Sequence, residues 1–138
     1  MIQFILGQKG TGKTKFLIDR INDAVKKSAG NIVVIEKGYV LRYDVDHEAR
    51  LIDIEDYDVH DFKTFYGFLA GLFAGNYDIT EVFVDATFKI GGRDYGAFAD
   101  MIARLDKLTE STGAIVCFTV SCSLSDLPEE LHKYVIER

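Results

Sequence analysis

The stretch Gly7-Gln8-Lys9-Gly10-Thr11-Gly12-Lys13-Thr14 restricts what this chain can become more than any other part of it. It satisfies the spacing G-x-x-x-x-G-K-[ST], with a third glycine inside. Before it, Ile2-Gln3-Phe4-Ile5-Leu6 is a short apolar run suited to a buried parallel strand; after it, Lys15 to Ser28 reads as a helix. Glycines let the backbone adopt positive φ and approach a ligand closely, so successive N–H groups in such a turn can point at phosphate oxygens. A helix beginning near Gly12 adds the positive end of its dipole. The candidate ligand contacts are therefore Gly7, Lys9, Gly10, Thr11, Gly12, Lys13, Thr14 and Lys15. Lys13 is placed to reach the β- and γ-phosphates, and the Thr14 hydroxyl to complete a magnesium shell.

Periodicity orders the rest of the chain. In the first helix Phe16, Leu17, Ile21, Ala24 and Val25 share one face. Asn31 to Glu36 predicts a second buried strand that ends on an acid, and Glu36 either carries chemistry or marks where that strand meets water. Tyr39 to Val45 and Ala49 to Ile54 alternate as the two strands of a hairpin turning at Asp46-His47-Glu48. Asp61 caps a helix running to about Ala74 that is apolar nearly all round. Gly67, Gly71 and Gly75 repeat along one stripe of it, where another backbone could come close. Ile79 to Asp85 is an apolar strand that delivers a carboxylate at its C-terminal end. Thr87 to Asp94, with Lys89 and Arg93, reads as a mobile basic loop, either a connector or a contact to ligand, polymer or neighbour. Tyr95 to Thr112 is an amphipathic helix with Phe98, Met101, Ile102 and Leu105 inward, followed by a core strand from Ala114 to Val120 and the polar cluster Ser121-Cys122-Ser123. Asp126 and Glu129 form the capping box of a last helix docked by Leu127, Leu131, Tyr134 and Val135.

Composition sets the frame for these elements. The chain has 138 residues, 48% hydrophobic and 28% charged, which predicts a single domain spanning 1–138 with an ordinary globular core. The net charge of −6 disfavours non-specific nucleic-acid or anionic-membrane binding. Two cysteines, Cys117 and Cys122, without a zinc-ligand pattern fit a reduced, cytoplasmic protein, and no signal peptide or membrane-spanning run is present.

The glycine-rich stretch, the strand ending in Phe83-Val84-Asp85, and the alternation of strands and helices together resemble the P-loop NTPase superfamily, with Walker A at 7–14 and Walker B at Asp85. Within it the chain looks most like a compact RecA-like ATPase. The resemblance implies an α/β, three-layer fold with a mainly parallel sheet, here with the hairpin inserted. It implies ATP and Mg2+ as ligands, with Thr14 and Asp85 at the metal and Lys13 at the phosphates. It places Ser121 or Thr119 as a polar sensor of the γ-phosphate, on a strand between the loop's strand and the Asp85 strand. It also raises Glu36 as the carboxylate that polarises the attacking water. The guanine motif N-K-x-D is missing and no D-x-x-G follows Asp85, so ATP is expected over GTP. Three activities fit: hydrolysis that switches a partner or the protein's own assembly, phosphoryl transfer to a small molecule, or nucleotide binding with little turnover. A homo-oligomer or protein partner would dock through the hairpin or the aromatic helix 61–75.

Overall fold

Runs rich in β-branched and aromatic residues assemble here into one six-stranded sheet in which every pairing is parallel. The structure, a computed structural model, describes residues 1–28 and 30–137. Its strands are β1 (Ile2–Leu6), β2 (Asn31–Glu36), β3 (Arg50–Asp53), β4 (Ile79–Asp85), β5 (Ile115–Val120) and β6 (Val135–Glu137), and its helices α1 (Lys13–Lys27), α2 (Phe62–Gly75), α3 (Thr87–Gly91) and α4 (Tyr95–Thr112). The order across the sheet is β3-β2-β4-β5-β1-β6. The strand that runs into Ser121 thus lies between β1 and β4, as expected from the sequence.

Side chains alternate across each strand and feed two cores. Ile5, Ile32, Val34, Phe83 and Cys117 pack under Leu17 and Ile21 of α1. Phe4, Val33, Ile35, Val84, Val116 and Phe118 face the other way, toward Phe65 and Leu69 of α2 and Phe98, Ile102 and Leu105 of α4. Helices thus cover both faces, an α/β architecture compatible with three layers. Two helix ends follow the sequence: the Asp61 carboxylate accepts from Thr64 N–H, and Gly113 closes α4 at φ 73°; the cap at the start of α4, where the Asp94 carboxylate accepts from Ala97 N–H, was not expected. Burial pushes the Cys117 thiol up to about 12, consistent with an inert apolar role. Among the described residues, no helix is long and apolar enough to cross a membrane.

Four expectations change. The hairpin over 39–54 does not form. Residues 39–49 make turns, and β3 runs parallel to β2 at the sheet edge, so the segment between them is a crossover. The reason lies in the hydrogen-bond donors. The Glu36 carboxylate accepts from the N–H groups of Val40 and Leu41, and Asp44 and Val45 N–H both donate to the Leu41 carbonyl. Leu41 and Val45 are buried at a spacing of four, while Tyr43 between them is 84% exposed. The alternation that suggested a strand is thus the one-sided pattern of a turn.

The last helix is a 3-10 segment, Glu129–Tyr134, whose cap position is Pro128. Asp126 does not cap it, because its carboxylate accepts the Ser123 hydroxyl. Val135 leaves the expected helix for β6, beside Phe4 of β1. The glycine stripe of α2 meets no approaching backbone, for a Cβ on Gly67, Gly71 or Gly75 would find nothing within 4 Å. Lastly, the expected mobile loop after Asp85 contains the short helix α3.

Candidate functional site

β1 ends at Leu6, and Gly7 N–H still donates to the Val120 carbonyl, so the glycine-rich turn leaves the sheet at its C-terminal edge. Three donors then converge on the Gln8 carbonyl: Thr11 N–H, the Thr11 hydroxyl at 2.7 Å and the Lys13 ammonium at 3.1 Å. A Cβ at Gly7 would meet the Thr11 hydroxyl oxygen, so a larger residue there would displace the Thr11 side chain from that closure. Gly10 and Gly12 adopt φ of 86° and 88°, the left-handed region that other residues enter at a cost. Gly12 is the N-cap of α1 and supplies no side-chain acceptor, which leaves the first-turn amides available to a ligand.

Facing this turn is the end of β4. Strand register aligns Asp53, Glu36 and Asp85 across β3, β2 and β4, which puts three carboxylates side by side on the sheet's C-terminal edge. Each has a different task. Asp53 accepts from Gly38 N–H at 2.8 Å and Glu55 N–H at 3.1 Å. Glu36 is 2% exposed, and both its oxygens accept the backbone amides of the turn at 40–41. Burial raises its pKa above the usual carboxylate value; the Leu41 and Val40 amides oppose that shift, and Asp85 and Asp53 add to it. Asp85 alone turns toward α1. One oxygen accepts the hydroxyl of the fully buried Thr119 on β5, and the other lies 3.5 Å from the Thr14 hydroxyl.

These elements enclose a cavity of about 360 Å³ lined by Lys9, Gly10, Lys13, Thr14, Asp85 and Ser121, together with Ala86, Phe88, Lys89 and Arg93. Partial burial holds the Lys13 pKa below the ordinary lysine value, with Asp85 pulling the other way and the nearby Lys89 charge adding to the depression. Of the residues expected from sequence, Lys9, Gly10, Lys13, Thr14, Asp85 and Ser121 meet here. Gly7, Thr11 and Gly12 shape the turn behind them, Lys15 is exposed on the first turn of α1, and Glu36 lies outside the lining. Of the two polar residues at the end of β5, the Thr119 hydroxyl donates to Asp85, and Ser121 lines the cavity. Sequence reasoning left Lys89 and Arg93 undecided and missed Phe88; their signal was only that they follow Asp85.

The lining suits a polyphosphate with a divalent ion. Four cationic side chains surround one carboxylate, glycine amides lie beside them, and a hydroxyl and a carboxylate approach each other at 3.5 Å. Among the described residues, no three His, Cys, Asp or Glu are grouped to hold a metal. Mg2+ commonly takes one or two protein oxygens and fills its shell with water and phosphate, and Thr14 with Asp85 matches that habit. No protein-family model matches the sequence, and no curated protein matches it.

Proposed function

We propose that this protein binds a nucleoside triphosphate, ATP in preference to GTP, with Mg2+, and hydrolyses it slowly, as a P-loop NTPase of the RecA-like kind. One observation carries the reading: the uncapped start of α1 with Lys13 and Thr14 opens on the same cavity as Asp85 and Ser121. The loop amides and Lys13 bind the phosphates, Ser121 contacts the terminal phosphate, and Thr119 fixes the rotamer of Asp85. Thr14 and Asp85 would hold Mg2+, which supplies neutralisation of the phosphate charge. Phosphoryl transfer demands positioning and charge stabilisation more than covalent participation, so this lining can support it without a dedicated base. Glu36 acts here as the residue that holds the 37–41 turn beside Asp85.

The test combines ATP titration with measurement of ADP and phosphate release, with and without Mg2+. Asp85→Asn is expected to lower affinity only in the presence of Mg2+, because it keeps an acceptor for Thr119 and removes the negative charge that would face the metal. An equal loss with and without Mg2+ would remove Asp85 from the metal. Glu36→Gln is expected to hydrolyse ATP near the wild-type rate. A fall of about 100-fold, the scale of losing a general base, would instead assign Glu36 to the water. ADP formation that requires an added acceptor would turn the reading from hydrolysis to phosphoryl transfer.

A further inference from the structure

The cavity has a second wall, built by the residues that follow Asp85, and nothing in nucleotide binding by the glycine turn requires that wall to be cationic. Resting on the nucleotide reading, we propose that Lys89 and Arg93 form a subsite for the terminal phosphate, by which the protein tells a nucleoside triphosphate from a diphosphate.

The placement comes from the sheet. Adjacent strands lie about 4.8 Å apart, so the ends of β1 and β4 stand roughly 10 Å apart with β5 between them. The glycine turn rises from β1, α3 rises from β4, and Ser121 at the end of β5 lies between the two. A phosphate chain seated on the amides of the turn and on Lys13 extends across Ser121 toward the far wall. Its first two phosphates are served by the turn, and a third comes within reach of Lys89 and Arg93.

That wall is fixed in place. Phe88 and Ile90 are buried, and a Cβ at Gly91 would lie 2.2 Å from the Phe62 ring, so α3 sits directly on α2. Phe88 packs edge-on against Tyr95 and Phe98 at 5.3 and 5.5 Å between ring centroids, and the Arg93 guanidinium lies over its ring at 5.1 Å. Among the described residues, neither Lys89 nor Arg93 takes part in any of the ion pairs. Their charges face Lys13 across the cavity without a carboxylate of their own. That arrangement is repulsive when empty and favourable with an anion between them.

Equilibrium binding of ADP and of a non-hydrolysable imido-bridged ATP analogue, both with Mg2+, tests the assignment. Four proteins are compared: wild type, Lys13→Ala, the double variant Lys89→Gln/Arg93→Gln, and Arg93→Lys. Both side chains are exposed, so the substitutions leave the core untouched. Lys13→Ala should weaken both ligands. The double variant should weaken the triphosphate analogue by about tenfold or more, the scale of a lost charge-assisted hydrogen bond, and leave ADP unchanged. Arg93→Lys should recover part of the loss. A double variant that weakens both ligands equally, or neither, while Lys13→Ala still weakens both, overturns the subsite and leaves the nucleotide reading standing. A wild type that binds neither ligand overturns both.

Discussion

Lys13→Ala is expected to remove measurable ATP binding while thermal stability stays near that of the wild type. The ammonium donates to the Gln8 carbonyl at 3.1 Å and lines the cavity together with Thr14 and Asp85. It is therefore held at the turn before any ligand arrives. Losing a charged donor to phosphate costs about 3 kcal/mol, roughly a hundredfold in affinity, and the loss grows where partial burial strengthens the contact. No cavity opens in the core, because the side chain belongs to the ligand site and not to either packed face of the sheet. Isothermal titration alongside a melting curve checks both halves. A folded variant with unchanged ATP affinity would end the phosphate-loop reading of residues 7–14.

Phe98→Ala should weaken the fold by about 3–5 kcal/mol, lowering Tm by roughly 10 °C or more. Phe98 is fully buried at the centre of an aromatic cluster, with ring centroids of Phe62, Phe4, Phe88 and Phe118 at 5.1, 5.4, 5.5 and 6.3 Å. Removing it deletes packing on four sides at once, and the sheet beneath cannot collapse into the space. Phe88 loses a support on the same occasion, so the platform under Arg93 should loosen together with the core. Denaturant unfolding measures the first effect. A loss below about 1.5 kcal/mol would mean that the neighbours repack, as volume-conserving cores do.

How much of the molecule was legible in the sequence depended on how local the deciding interaction is. The strand and helix at 79–85 and 95–112 end where their own residues end them, at Asp85 and Gly113, and both were readable. So was the glycine turn, whose spacing is itself the signal. The stretch 39–45 was not, because its fate is set by Glu36, a carboxylate whose choice of Val40 and Leu41 amides leaves no trace in the alternation of Tyr39, Leu41 and Tyr43. β6 has three residues, too few for any pattern, and exists because Phe4 offers Val135 a free edge. At the site, Thr14, Asp85 and Ser121 were legible as strand and turn ends. The division of labour among Asp53, Glu36 and Asp85 needed register, which sequence does not carry.

The order of strands also sets a timetable. β2, β3 and β4 pair among themselves, within one stretch of chain. β1, by contrast, finds both its neighbours far away, with Ile2 beside Val116 and Phe4 beside Val135. Loop closure makes such distant pairings slow, so the pairing that aims the glycine turn is expected to form after the pairing of β2, β3 and β4. A ligand that grips the turn and the end of β4 together binds only the completed sheet, and by mass action holds it closed. If the nucleotide reading proposed above holds, nucleotide concentration would bear on how long β1 stays in register, and so on the stability of the folded chain itself.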